Sequence, residues 1–383
     1  MEKSNARKPK GLIMALIDSL NENNYRLYNS LPYDPYLMSK KSATYLLGAA
    51  LSAALSLTSA AATAEEKVLN VYSARHYQTD EALYGTFTKQ TGIKINRIEA
   101  GEDPLIERIR SEGERSPADV LITVDAGRLW RAEQLGLFQP VKSAVLEKRI
   151  PDSFREPQGR WFGFSMRARV IAYNKDKVKP QEVPTYEALA DPKWKGRICM
   201  RSSTNIYNLS LMGALVNHLG EAKAEAWAKS VRGNLAREPK GGDTDQLKAV
   251  AAGECDVTVS NQYYYARLAR SSKAQDREVA DRLGIVFPNQ ESWGTHVNVS
   301  GAGVLKHAPH REAAIRFLEY LASDDAQRYF ADGNNEWPVV PGVKVDNPVL
   351  SDFGDFKRDS LNVSVLGRNQ PVSQKIYDRV GWK

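Results

Sequence analysis

The chain has 383 residues, 42% hydrophobic and 26% charged, enough for two globular cores. Its formal charge of +7 comes from basic residues interleaved with acidic ones, without the basic stripe that a nucleic-acid partner would need. After residue 64 there is no run of roughly 20 apolar residues to span a membrane, and no Gly-rich phosphate loop, Gly-x-Ser-x-Gly elbow or two-histidine-plus-carboxylate set to suggest an enzyme.

Residues 1–37 are polar and rich in Asn and Tyr, and Met38 reads as the true start. Residues 38–64 read as a signal peptide: Lys40-Lys41, an apolar run from Tyr45 to Leu57, and the small-residue cleavage site Ala62-Thr63-Ala64. The mature chain then begins at Glu65, and no cysteine before Cys199 offers a lipid attachment point. The expectation is a protein free in the periplasm and not membrane-spanning. Residues 1–64 carry 7 Lys and Arg against 4 Asp and Glu, so the charge without them falls to +4.

Lys67 to Ser73 alternates as a strand, followed by a helix capped at Thr79-Asp80 with Leu83, Tyr84 and Phe87 on one face, stopped by Gly92. A strand over 93–98 leads to a helix with Asp103 as cap and Pro104 as first position, ending at Gly113. Pro117 to Val124 reads as a third strand, and Leu129 to Leu135 as a third helix ending at Gly136. Strand and helix in alternation imply a parallel sheet covered on both faces. Arg167 to Tyr173 is the next strand, with a hinge crossing close to it, and Pro180, Pro184 and Pro192 mark a surface segment. Strands at 196–200, 255–260 and 284–287, with helices at 205–219, 221–231 and 245–252, build a second α/β domain. His296 to Leu305 and the helix Glu312 to Leu321 return to the first. The expected domains are 65–165 with 292–332, and 166–291 with 333–383. No internal repeat is evident beyond residue 64. His307 and His310 straddle Pro309 ahead of a helix and read as a surface cap, and Asp324-Asp325 as a helix cap.

The stretch Asn261-Gln-Tyr263-Tyr264-Tyr265-Ala-Arg267 stands at a strand-to-helix junction, where sites gather in open α/β sheets. Successive helix residues diverge by about 100°, so Tyr263 and Tyr264 can reach one cleft while Tyr265 turns away. From the stretch alone, an aromatic plug beneath a loop fits equally well. Phenolate oxygen suits hard, highly charged Fe3+, whereas thiolate suits softer metals. Tyr207, and the pair His76-Tyr77, also follow strands; His76 taken alone fits a capping histidine at least as well.

Ser73-Ala-Arg-His-Tyr77, Arg201-Ser-Ser-Thr-Asn-Ile-Tyr207 and Asn261-Gln-Tyr-Tyr-Tyr265, in that order behind a leader, resemble the Fut-type ferric-iron-binding proteins, the periplasmic components of iron ABC transporters. The resemblance runs from about Val68 to the C-terminus through Pro117-Ala-Asp-Val and Leu135-Gly-Leu-Phe-Gln-Pro140. It implies a type II periplasmic-binding-protein fold: two doubly wound α/β domains joined by a hinge, with the ligand cleft between them. It implies His76 and Tyr77 from the first domain and Tyr207, Tyr263 and Tyr264 from the second as ligands to Fe3+, which is cargo for an inner-membrane ABC permease and not a catalytic cofactor. Tyr265 falls outside the matched pair. A monomer is expected. Arg75 and Arg201 adjoin the ligand motifs and could balance phenolate charge, or could simply be solvated.

Cys199 and Cys255 are the only cysteines. An oxidising compartment and the absence of other partners predict a disulfide between them. The alternative functions are a binding protein for a small organic anion or polyamine and, on the same fold, an enzyme; the fold does not name the solute.

Overall fold

The structure, a computed structural model, describes residues 67–75 and 80–383. The leader, the start at Met38, the Thr79 cap, His76 and Tyr77 lie outside the described residues. No helix among the described residues is long and apolar enough to cross a membrane.

The first half alternates as the sequence pattern implies. Strand β1 (Val68–Ser73) precedes α1 (Asp80–Thr91), which buries Leu83, Tyr84 and Phe87 and ends where Gly92 takes φ +71. Next come β2 (Lys94–Glu99), α2 (Glu102–Glu112), β3 (Val120–Val124) and α3 (Ala126–Gln134). Two helix starts differ from expectation. Gly101, not Asp103, is the N-cap of α2, which places Asp103 inside the first turn, where its charge still opposes the helix dipole. Helix α3 begins three residues earlier than its apolar periodicity suggested, because the Asp125 carboxylate accepts from Gly127 N.

The second half contains β4 (Phe162–Asn174), β5 (Ile198–Cys199), α4 (Ile206–Leu219), α5 (Glu221–Asn234), α6 (Asp243–Ala251), β6 (Val257–Asn261), α7 (Gln262–Ala269), β7 (Leu283–Val286) and β8 (Val297–Val304). Helices α8 (Arg311–Leu321) and α9 (Asp324–Asn334), the short strand β9 (Trp337–Pro338) and the helix α10 (Gln370–Val380) follow. Ser323 caps α9 through Ala326 N, in place of the expected Asp324-Asp325.

Hydrogen-bonded strands run in the order β2-β1-β3-β8-β4-β6-β5, with β7 and β9 also paired to β4. The pairs β1–β2, β1–β3 and β5–β6 are parallel, whereas β8 is antiparallel to both β3 and β4, so the arrangement is mixed. The 13-residue β4 is the connecting element: Phe162 to Ala168 pair with β8, and Arg169 to Tyr173 pair with β6. Apolar packing divides along the same strand. Phe162, Phe164 and Met166 join a core with Leu69, Phe87, Val120, Leu129 and Phe317, while Ile171 joins another with Tyr186, Trp194, Trp227, Val257 and Trp382.

The proline-marked segment is not surface: Val183, Tyr186, Leu189 and Trp194 are fully buried in that second core. Short 3-10 turns at 180–182, 187–190 and 192–194 let prolines break regular structure while apolar residues between them point inward. Trp227 Nε1 donates to Tyr186 O at 2.7 Å, and the Tyr186 hydroxyl donates to Arg169 O, tying the segment to α5 and β4.

Cys199 and Cys255 are bonded, with Cα atoms 5.8 Å apart. Closing a loop of sequence separation 56 stabilises the fold by about 4 kcal/mol on the chain-entropy account. Thiol labelling of denatured, unreduced protein should therefore find no free thiol; two free thiols would disprove the bond.

Candidate metal centre

Strands β5 and β6 lie side by side and parallel, and each runs into a helix whose N-cap is asparagine. Asn205 Oδ1 accepts from Tyr207 N at 3.1 Å, so Tyr207 is the second residue of α4, as Tyr263 is of α7. Parallel neighbouring junctions bring the two side chains together: Tyr263 Oη donates to Tyr207 Oη at 3.2 Å. The ring of Tyr264 packs against that of Tyr263 with centroids 4.3 Å apart. Tyr265 turns the other way, onto Phe353 at 5.9 Å. Three of the five expected ligands are thus gathered at two helix N-termini, whose exposed N–H dipoles favour negative charge. His76 and Tyr77 are outside the described residues.

Guanidinium groups surround the phenols. Arg167, Arg169 and Arg201 lie 5.4, 5.8 and 5.5 Å from the Tyr207 ring centroid, and Arg267 lies 5.0 Å from that of Tyr263 and 5.6 Å from that of Tyr264. Buried Asp243 accepts from Arg169 Nη1 at 3.1 Å, from Arg201 Nη1 at 3.3 Å and from Asn261 N at 3.0 Å, so one carboxylate orders both arginines and the cap of α7. Of the two arginines flanking the motifs, Arg201 therefore faces the phenols. Arg75 is buried instead against Asp80 at 3.0 Å and Glu336 at 3.5 Å. Glu336 also accepts from Ser165 Oγ at 2.7 Å and lies 3.9 Å from Arg167, so Arg75, just past β1, is linked through Glu336 and Arg167 to the ring of Tyr207.

Burial pushes the Tyr264 phenol up to about 12, and the nearby Tyr207 and Asp243 add to the rise; a hydrogen bond with Tyr263 and the Arg201 charge oppose it. Burial lowers the Arg167 pKa, but Asp125, then Tyr207 and Glu336, hold it above the usual arginine value. At neutral pH Tyr264 is a neutral phenol, and only a strongly Lewis-acidic cation can displace its proton. Among the described residues, no group of three or more His, Cys, Asp or Glu could hold a metal, which leaves the phenols as the metal-binding chemistry on view. His310 is the N-cap residue of α8 but its ring makes no capping bond to the helix; its backbone N and Nδ1 are bonded instead to Asp119 at 2.6 and 3.0 Å.

Arg167, Arg169, Asp243 and Arg267 were missed by sequence reading. Two arginines alternating on one face of the otherwise apolar Arg167-Ala-Arg169-Val-Ile strand were the available signal. A short repeat was also overlooked: Cys-x5-Asn-x-Tyr occurs at 199–207 and again at 255–263.

Two apolar cores sharing β4, with polar and aromatic groups converging beside it, make up the fold of a solute-binding protein. Residues 115–355 match the bacterial extracellular solute-binding proteins, and the chain belongs to that family. It is 56% identical to "Iron uptake protein A2" of Synechocystis over 84% of this chain and 92% of that protein. It is 32% identical to the "Major ferric iron-binding protein" of Neisseria meningitidis over 88% and 98%. Among solved structures, Trichodesmium FutA (IdiA) "in complex with iron and citrate ligands" matches with TM-score 0.80 and 58% identity, covering 82% of this chain and all of that one. The α/β solute-binding fold expected from the sequence is the fold of this neighbour.

Proposed function

We propose that the protein binds Fe3+ in a cleft between two lobes and delivers it to an ABC permease for iron uptake. It is a binding protein rather than an enzyme, and iron is its cargo. One observation carries the reading: the Tyr207 and Tyr263 hydroxyls meet at 3.2 Å with Tyr264 packed alongside, in a chain 56% identical to an iron uptake protein. Tyr207, Tyr263 and Tyr264 supply phenolates from the second lobe, and His76 and Tyr77 complete the shell from the first. The lobes are 65–165 with 292–332, and 166–291 with 333–383; within the last segment Val339, Val340, Val363 and Leu366 pack in the first core, while Ile376, Tyr377 and Trp382 pack in the second. The crossings are β4 and the segment leading into β8.

Phenolate is a hard anionic donor matched to Fe3+, and metal binding releases the phenolic protons, so acid should discharge the iron. Metal analysis of the purified protein tests the reading, with one iron per chain expected and an organic solute without iron contradicting it. Ligands on both lobes should draw them together, so iron loading should lower the radius of gyration in solution scattering; identical apo and holo profiles would contradict a two-lobe site.

Work in the periplasm requires export. The charge, apolar run and small-residue site between Met38 and Ala64 support cleavage after Ala64. Intact-mass measurement of the exported protein should place its N-terminus at Glu65, and an N-terminus before Met38 would contradict this.

A further inference from the structure

The two tyrosine-bearing junctions repeat one nine-residue pattern, Cys199-Met-Arg-Ser-Ser-Thr-Asn205-Ile-Tyr207 and Cys255-Asp-Val-Thr-Val-Ser-Asn261-Gln-Tyr263. In each, a cysteine is followed after five residues by the asparagine N-cap and then by a tyrosine as second helical residue. The copies are joined at both ends of the pattern. The cysteines are bonded to each other, and the tyrosine hydroxyls meet at 3.2 Å.

Between these ends the copies are joined by few contacts: the Arg197–Asp256 ion pair beside the disulfide, Asp243, which binds both Arg201 and Asn261 N, and a short ladder. Strand β5 is two residues long and stands at the end of the strand order, with only Ile198↔Val257 and Cys199↔Thr258 in its ladder to β6. Beyond Cys199 no ladder supports Met200 to Thr204. That segment is held by Asn208 Nδ2 donating to the carbonyls of Arg201 and Ser202, by Trp382 Nε1 donating to Arg201 O at 3.2 Å, and by the Arg201–Asp243 ion pair. A one-residue slip of a parallel strand is a shift of about 3.3 Å, as large as the separation of the two hydroxyls. A ladder of two pairs resists such a slip weakly; a covalent bond beside it does not allow one.

We infer that the Cys199–Cys255 disulfide is a positioning element of the metal centre, setting Tyr207 in register with Tyr263 and Tyr264. This rests on the iron-binding function proposed above. Both cysteines are buried, so the bond touches no solute and acts only through the strands it joins. Metal sites lose affinity when their supports loosen, because ligands must be held within about half an ångström of the productive geometry.

The test compares three iron-loaded proteins: wild type, Cys199→Ala/Cys255→Ala, and Leu189→Ala, whose side chain is buried in the second core and belongs to neither repeat. The cysteine variant should bind Fe3+ roughly 10- to 100-fold more weakly, the range for loss of an outer support, with a shifted visible band. Leu189→Ala, which lowers the melting temperature and lies outside both repeats, should keep wild-type affinity and band. A folded cysteine variant with both unchanged overturns the inference, as does an equal loss in Leu189→Ala, which would make the effect one of stability. If the double alanine variant does not fold, Cys199→Val/Cys255→Ala, which refills the buried volume, is measured in its place; failure of both to fold assigns the bond to stability and also overturns the inference. Wild-type protein that takes up no iron overturns the proposed function, and this inference with it; iron uptake by wild type with an unaffected cysteine variant overturns this inference alone.

Discussion

Tyr263→Phe and Tyr264→Phe should each weaken Fe3+ binding by more than about a hundredfold, beyond the roughly 10- to 100-fold that loss of an outer support costs. Phenylalanine keeps the ring, and with it the 4.3 Å packing between the two side chains, but removes the oxygen that donates to iron. The cost to the fold is small. Tyr263 Oη gives up its bond to Tyr207 Oη at 3.2 Å and a long one from Asn261 Nδ2 at 3.5 Å, which is about 1 kcal/mol of folding stability. Affinity and stability should therefore separate. Tyr265→Phe is the control, because that ring faces Phe353, and iron binding should not change. Iron titrations and urea unfolding on the three variants check this. Undiminished affinity in both Tyr263→Phe and Tyr264→Phe would refute the phenolate site.

Acid should destabilise the iron-free protein through His296. This residue is buried where β4 meets the approach to β8; its backbone N donates to Tyr186 Oη at 3.2 Å, its carbonyl accepts from Arg169 N at 3.0 Å, and its Nδ1 makes no hydrogen bond. Burial, then the charges of Arg169 and Arg167 and the neighbouring His218, lower its pKa to about 3 from an ordinary 6.5. The folded-state value is the depressed one, so the unfolded chain takes up the proton first. The resulting stability is fully present above pH 6.5 and is lost as pH falls through 3. At 1.36 kcal/mol per pH unit, about 3 kcal/mol should be gone by pH 4. Urea unfolding of wild type and His296→Asn between pH 7 and 4 isolates the histidine from the carboxylates common to both. The two stability curves should converge as pH falls; parallel curves would contradict the assignment.

The parts of this protein legible in its sequence are those set by local pattern. Apolar periodicity and capping residues placed β1, α1 and α8, and three tyrosines between a strand-like run and a helical one marked a junction. Cys199 and Cys255 had only each other to pair with. What could not be read depends on partners distant in sequence. The full length of β4 is set by pairing with β8 at one end and β6 at the other. Prolines signal a break in regular structure but say nothing of burial, so Tyr186 and Trp194 were placed on a surface they never reach. Arg167 and Arg169 are tolerated inside because Asp125 and Asp243 meet them from elements 42 and 74 residues away, a pairing that no local rule supplies.

Titration of the iron-free protein with Fe3+, followed in the visible region, tests the central claim most directly. Electron donation from phenolate into Fe3+ gives a charge-transfer absorption that an organic solute cannot produce. A band should grow to saturation at one Fe3+ per chain and disappear on acidification, when protons reclaim the phenols. A protein that stays colourless through the titration would contradict it.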